Sequence, residues 1–403
     1  MSDGDVDHRL LLVGDAGDPD PAGEPVLQLL AERVQQLPAR TTVLFLGDNV
    51  YQRGMPPPVA SKDATTEKLA SGAAAAADVL IANVFDSRED AERRIDAQID
   101  VVRHTPARAV FVPGNHDWDQ FELGGWDRIL NLENYIKDVA AGGSANVALV
   151  PSGGCPGPTE MQLGKSGTLI LLDTQWWLET REDGKPTLGN NPTNCPHPSE
   201  LEVREQLAEV FKTAAAEHRW AIVAGHHPLL SDGPHGGFMD FRTHLFPFRV
   251  LRHYVPFYVE WIPLPGLGSL MVALRNCCST SPQDISNRRN EHMRKNVVEP
   301  MIKAARTNAA PLVYAAGHDH SLQVFEGPRG PRFSLVSGMG CGSHASSVGS
   351  SRHTLFAHSN PAEPGLMQID LLKGKGVRLA VIERTTAHPE GVEVYSKFLA
   401  GTK

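Results

Sequence analysis

Short apolar runs alternate with amphipathic stretches along most of the chain. Residues 10–13 form a continuous apolar run that stops at Gly14-Asp15, the pattern of a buried strand. Residues 42–46, 109–112, 168–172, 220–223 and 311–315 repeat it. Between these runs, residues 24–36, 89–103, 200–216 and 288–306 have the spacing of amphipathic helices; Ile95, Ile99 and Val102 fall near one face of the second. Residues 322–383 offer several further short strands. Strands alternating with helices, followed by a strand-rich end, predict an α/β fold with layered sheets.

Two stretches interrupt the alternation. Residues 56–85 hold Pro56-Pro57-Pro58 and the run Ala73 to Ala77, which reads as an Ala/Pro-rich insertion. Residues 236–307 are basic and aromatic, which reads as a lid or subdomain on a single domain spanning 1–403. The longest apolar stretch, Trp261 to Leu274, has 14 residues and contains Pro263 and Pro265, too short to span a bilayer.

Charge refines this picture. The 403 residues carry a net charge of −9, which disfavours duplex nucleic acid as a partner. The charge is uneven: residues 241–306 hold ten Lys/Arg against four Asp/Glu. Phe248, Tyr254, Phe257, Tyr258 and Trp261, with Arg249 and Arg252, lie in that basic segment. A packed lid, a substrate-facing cover and a peripheral membrane contact through 241–275 are its three readings. Met1-Ser2-Asp3-Gly4-Asp5 lacks the apolar core of a secretory signal, so the default expectation is cytoplasmic. Five cysteines form no C-x-x-C pair, which argues against a zinc finger. Cys155 and Cys195 both precede Pro in loop-like sequence and are either a disulfide or two thiols; a disulfide would fit export.

The candidate chemistry sits at the strand ends. Five motifs follow apolar strands directly: Gly14-Asp15-Ala16-Gly17, Gly47-Asp48-Asn49-Val50-Tyr51, Gly114-Asn115-His116-Asp117, Gly225-His226-His227-Pro228 and Gly317-His318-Asp319-His320. In open α/β sheets the ligand site lies beyond the carboxyl ends of the strands. Asp15, Asp48, Tyr51, Asn115, His226, His318 and His320 offer oxygen and imidazole donors without thiolates, a set suited to iron, manganese or zinc. Seven donors match two metals that share one carboxylate.

The motifs GDxG, GDxxY, GNH[DE], VxxH and GHxH, in this order, resemble the calcineurin-like metallophosphoesterases and, more closely, their purple acid phosphatase branch. The resemblance implies a four-layer α/β/β/α sandwich with two mixed sheets. It implies that Asp15, Tyr51 and His320 hold one metal, that Asp48 bridges, and that Asn115, His226 and His318 hold the second. The wider superfamily has D-x-H where this chain has Gly17, and Tyr51 supplies the missing donor. A phenolate favours Fe(III), so the implied cofactors are Fe(III) plus Fe, Zn or Mn(II). The implied reaction is hydrolysis of phosphate monoesters by a metal-activated hydroxide. A phosphodiesterase or a hydrolase of nucleotide or lipid-linked phosphates is the alternative, and a non-catalytic phosphate-binding scaffold the remote one. His116 and His235 correspond to the family's outer histidines, with His235 the candidate acid for the leaving group. Imidazole titrates near about 6.5, which sets an acidic to near-neutral optimum as the expectation.

Overall fold

The computed structural model describes residues 3–58, 87–179 and 194–400, apart from residues 123, 198, 249–256, 279–280, 308, 310, 328–329 and 375. Most of the Ala/Pro-rich insertion, and Arg249, Arg252 and Tyr254 of the basic segment, lie outside the described residues.

Two seven-stranded sheets form the centre. The first contains β1 (Val6–Val13), β2 (Thr41–Phe45), β3 (Arg108–Phe111), β4 (Asn146–Leu149), β12 (Gly365–Leu372), β13 (Gly376–Glu383) and β14 (Val392–Ala400), in the order β14-β13-β12-β1-β2-β3-β4. The second contains β5 (Thr159–Leu163), β6 (Gly167–Leu171), β7 (Trp220–Ala224), β8 (Val313–Ala316), β9 (Leu322–Glu326), β10 (Phe333–Ser337) and β11 (Thr354–His358), in the order β11-β9-β10-β8-β7-β6-β5. Both are mixed. β1, β2, β3 and β4 run parallel, as do β6, β7, β8 and β10, while β12 pairs antiparallel with β1 and β9 antiparallel with β10.

Strand alternation sets the layers. In β1, Leu10 and Leu12 point between the sheets and meet Leu169, Leu171, Ile222 and Val313 of the second sheet. Leu11 and Val13 point the other way, onto helices α1 (Pro25–Gln36), α2 (Arg88–Ile99) and α3 (Gly125–Ala141). On the far side, Ile170, Val223 and Tyr314 pack against α4 (Thr174–Glu179), α5 (Glu200–Ala216) and α9 (Arg288–Ala305), the last α-helix among the described residues. The result is the four-layer α/β/β/α sandwich. Because both faces of each sheet are covered, the central strands are apolar throughout, which is why they read as runs rather than alternations.

Local signals fix the helix ends. Ser199 caps α5 with a capping box: its hydroxyl accepts from the Glu202 N–H and its own N–H donates to the Glu202 carboxylate. Ser87 caps α2 and Asn287 caps α9. The second helix stops at Ile99, short of the expected 103, and a turn through Val101 and Val102 buries both before β3.

The basic segment also resolves into helices: α6 (Phe241–Leu245), α7 (Phe257–Glu260), α8 (Pro265–Cys278) and α9. Met293, Val297 and Met301 of α9 belong to the outer core, whereas α8 buries only Gly268, against the His244 carbonyl. Cys155 and Cys195 form a disulfide, with Cα atoms 5.5 Å apart. No helix among the described residues is long and apolar enough to cross a membrane.

Candidate metal centre

The five motifs follow the carboxyl ends of β1, β2, β3, β7 and β8, parallel strands drawn from both sheets. Their loops are stitched together at one edge of the sandwich. The Asp15 N–H donates to the Gly47 carbonyl, the Gly14 N–H to Ser337 and the Gly317 N–H to His226.

Close approach explains two of the glycines. A Cβ on Gly114 would sit 2.2 Å from the Asp48 nitrogen and 2.3 Å from its Oδ1. A Cβ on Gly17 would sit 2.5 Å from the Asp48 carbonyl oxygen, so this backbone has no room for a histidine there. Asp15, Asp48 and His318 hold φ values of 61°, 54° and 72°, the left-handed region that non-glycine residues adopt at a cost of about 1–3 kcal/mol each.

The seven predicted donors come together in two groups. In the first, the Tyr51 Oη lies 3.2 Å from Asp15 Oδ1, 3.2 Å from Asp48 Oδ2 and 3.1 Å from His320 Nε2. His320 Nε2 is 3.4 Å from Asp15 Oδ1. In the second, Asn115 Oδ1 lies 2.9 Å from His226 Nε2 and 3.0 Å from His318 Nδ1, and those two nitrogens are 3.1 Å apart. Asp48 Oδ1 is 3.4 Å from His226 Nε2. Asp48 therefore places one oxygen in each group. All seven are buried except His320, which is partly exposed.

Hydrogen bonding on the outer side fixes what faces inward. His226 Nδ1 lies 2.8 Å from the Leu46 carbonyl, His320 Nδ1 2.8 Å from the His344 carbonyl and His318 Nε2 3.1 Å from the Gln283 carbonyl. A carbonyl only accepts, so each of these nitrogens donates. The opposite nitrogen of each neutral ring then presents a lone pair inward, the arrangement found around metal-ligating histidines. The interior thus gathers imidazole lone pairs, two carboxylates and the Asn115 oxygen at about 3 Å, with the Tyr51 hydroxyl donating to Asp15 and Asp48, an arrangement that suits cations. The electrostatics agree. Burial, reinforced by the charges of Asp48 and Asp15, pushes the Tyr51 phenol well above its usual range. Burial opposes protonation of His226, yet Asp48 and Asp15 lift it to about 9. The cluster draws positive charge toward itself. The residues fit a pair of metal ions, and the trio Asp15/Asp48/His226 brings donor atoms within 4.8 Å of one another.

His227 stays outside this set. Its Nδ1 pairs with the Thr174 hydroxyl at 2.9 Å and its Nε2 with Gln283 Oε1 at 2.8 Å, so both nitrogens are engaged. Asp117 accepts the backbone N–H groups of Gly114, Asn49 and Val50 and ties two motif loops together.

His116 and His235 both line a cavity of about 480 Å³ over the cluster, together with Gln120, Phe238, Thr243 and Arg275. The His116 N–H donates to Asp48 Oδ1 at 2.9 Å, and its ring Nδ1 lies 2.7 Å from the Gln52 carbonyl. The His235 ring lies over His318, with centroids 4.0 Å apart, and its Nδ1 is 2.9 Å from Asp284 Oδ1. Asp284 is buried and is clamped by Arg275, whose Nε and one terminal nitrogen reach its two oxygens at 2.6 Å each. Burial works against its charge, but Arg275 and His235 hold the Asp284 carboxyl below its usual range.

Sequence reasoning missed four of these residues. Gln283, Asp284 and Arg275 sit in the basic segment, where no motif marks them. His344 stacks on the Tyr51 ring at 4.8 Å, and its Nε2 lies 3.0 Å from Asp18 Oδ2. Only a tertiary contact reveals any of them.

The chain is similar in fold to solved structures at low identity. It aligns with GAP50, described as the anchor in the inner membrane complex of Plasmodium, at 14% identity and a TM-score of 0.52, covering 98% of this chain and 89% of that one. A structure of PhoD aligns at 11% identity and 0.49, over 98% and 71% of the two chains. A dimetal phosphatase from Danio rerio aligns at 12% and 0.42, over 97% and 99%. No curated protein matches by sequence. The model of the calcineurin-like phosphoesterase family matches residues 8–255, a span that carries four of the five motif loops. With the fifth loop folded onto the other four, and the family's dinuclear metal chemistry matched by donors present here, the chain belongs to the calcineurin-like phosphoesterases, a family of metal-dependent phosphoester hydrolases.

Proposed function

We propose that the protein hydrolyses phosphate monoesters at a two-cation centre, with a ferric ion held by Asp15, Tyr51 and His320, a divalent Fe, Zn or Mn held by Asn115, His226 and His318, and Asp48 bridging. The observation that carries this reading is the division of Asp48, one carboxylate oxygen in each half of a cluster of oxygen and imidazole ligands. Gly17 and Tyr51 support a ferric ion in the first half, because the anionic phenolate is a hard donor. When bound, such ions act as Lewis acids that neutralise phosphate charge and lower the pKa of a coordinated water.

The chain's own residues supply the rest. His116, anchored through its N–H to Asp48 and through Nδ1 to Gln52, presents its ring to a phosphate oxygen. In His235, Asp284 occupies Nδ1, which leaves Nε2 as the atom that hands a proton to the departing alkoxide. Phe238 and Thr243 on the cavity wall offer one apolar and one polar surface to the leaving group. The complete donor set favours catalysis over the anchoring role described for GAP50. The Cys155–Cys195 disulfide supports an oxidising compartment for the mature protein.

Turnover of p-nitrophenyl phosphate beside its bis-ester tests the substrate class. Faster hydrolysis of the monoester supports the reading; faster hydrolysis of the diester replaces it with a phosphodiesterase.

A further inference from the structure

Among the described residues, twelve large apolar side chains are exposed, and eight of them lie between Phe238 and Leu274. They are Phe238, Phe241, Trp261, Ile262, Leu264, Leu267, Leu270 and Leu274. Scattered singly, such residues need no explanation; gathered on two adjoining helices and the segments that lead into them, they do. α6 packs on α8, with the Gly268 backbone seated against the His244 carbonyl and the Leu264 N–H donating to the Leu245 carbonyl. From Trp261 to Cys278 the only charged residue is Arg275. Leu267, Leu270 and Leu274 follow the i, i+3, i+7 spacing of one helix face, and that face is exposed.

The same two helices wall the cavity over the metal centre. Thr243 of α6 lines it while Phe241, two residues away, is 77% exposed; Arg275 of α8 lines it beside the exposed Leu274. Phe238 belongs to both the cavity wall and the exposed set. The apolar face therefore borders the mouth of the site.

We propose that this face docks on an anionic lipid bilayer and brings the cavity mouth to the level of phosphate-bearing headgroups. Charge selects this occupant. The stretch that carries these residues, 238–278, holds four Lys/Arg against two Asp/Glu in a chain that is net −9, and Arg242 is exposed at the edge of the apolar set. A second copy meeting this face two-fold would set the basic segment against itself, whereas an anionic surface complements it. With 14 residues, α8 is shorter than the roughly 20 needed to span, so it lies in the interface, with Trp261 suited to the headgroup level. The headgroup part of the proposal rests on phosphoester hydrolysis; the docking part does not.

The test is flotation of the full chain with phosphatidylcholine vesicles, with and without phosphatidylglycerol. We expect co-flotation with the anionic vesicles, weakened by added salt, and a loss of roughly tenfold or more in Leu270→Glu/Leu274→Glu and, on the other helix, in Phe241→Ser. Both variants should retain turnover of soluble aryl phosphate, which verifies their fold. No flotation, flotation indifferent to these substitutions, or a wild-type dimer in light scattering that Leu270→Glu/Leu274→Glu dissolves would each overturn docking. Docking is tested independently of hydrolysis: flotation without turnover of either aryl phosphate or vesicle-borne phosphatidic acid would overturn the headgroup role and the proposed activity and leave docking standing. Turnover of aryl phosphate that vesicle-bound phosphatidic acid does not share would overturn the headgroup role but leave the activity standing.

Discussion

At the scale of single residues, the site depends on contacts with no slack. Gly114→Ala drives a methyl group into the Asp48 backbone and carboxylate. We predict a loss of about 2 kcal/mol or more in chemical denaturation, together with metal content reduced to one ion or fewer per chain. Asp284→Asn removes the charge that holds His235 Nδ1 while keeping the shape. For alkyl phosphates, whose leaving groups need a proton, kcat should fall about 10²-fold, whereas for dinitrophenyl phosphate it should barely change. Equal losses on both esters would assign Asp284 a purely structural role. The gathering of these seven side chains is legible in sequence, because each lies in a Gly-led motif at the end of an apolar strand and the strand order brings the motifs to one edge. The groups behind them are not. Gln283 and His344 act through backbone carbonyls, which any residue type offers, so no side-chain pattern announces them.

At the scale of elements, α5 and α9 were visible through caps and apolar periodicity, and both cover the outer face of the second sheet. α3 was passed over although Ile129, Leu132 and Ile136 have the same periodicity, because it starts at Gly125 after a Gly at φ 104° instead of a capping side chain. Met293→Ala in α9 deletes a fully buried side chain and should cost about 2–5 kcal/mol in urea unfolding. The Cys155–Cys195 link was left open by sequence, since spacing alone does not pair cysteines. It closes a segment of 40 residues, for which chain entropy gives about 4 kcal/mol. Cys195→Ser should therefore lower stability by about 2–4 kcal/mol in the absence of reductant and show little difference from wild type in its presence.

At the scale of the whole molecule, the layered sandwich buries several acids. Burial pushes Asp173 up to about 8, and Glu179 and Glu383 up to about 7. Each binds a proton more tightly folded than unfolded, so the contribution of these three groups to stability falls as pH rises through about pH 4 to 8. The stability difference between wild type and Asp173→Asn should move in favour of the variant as pH rises, by up to about 1.4 kcal/mol per pH unit; a difference independent of pH would contradict this account.

The layers also join two half-sites that no single sheet could supply, and the central claim is that Asp48 joins them as well. Elemental analysis of the purified protein with a visible absorption spectrum tests it most directly. The account predicts two ions per chain, at least one of them iron, with a phenolate-to-iron absorption band that Tyr51→Phe abolishes and an ion content that Asp48→Asn cuts to one or fewer. Wild-type protein with less than one ion per chain, or an Asp48→Asn variant that still holds two, would contradict it.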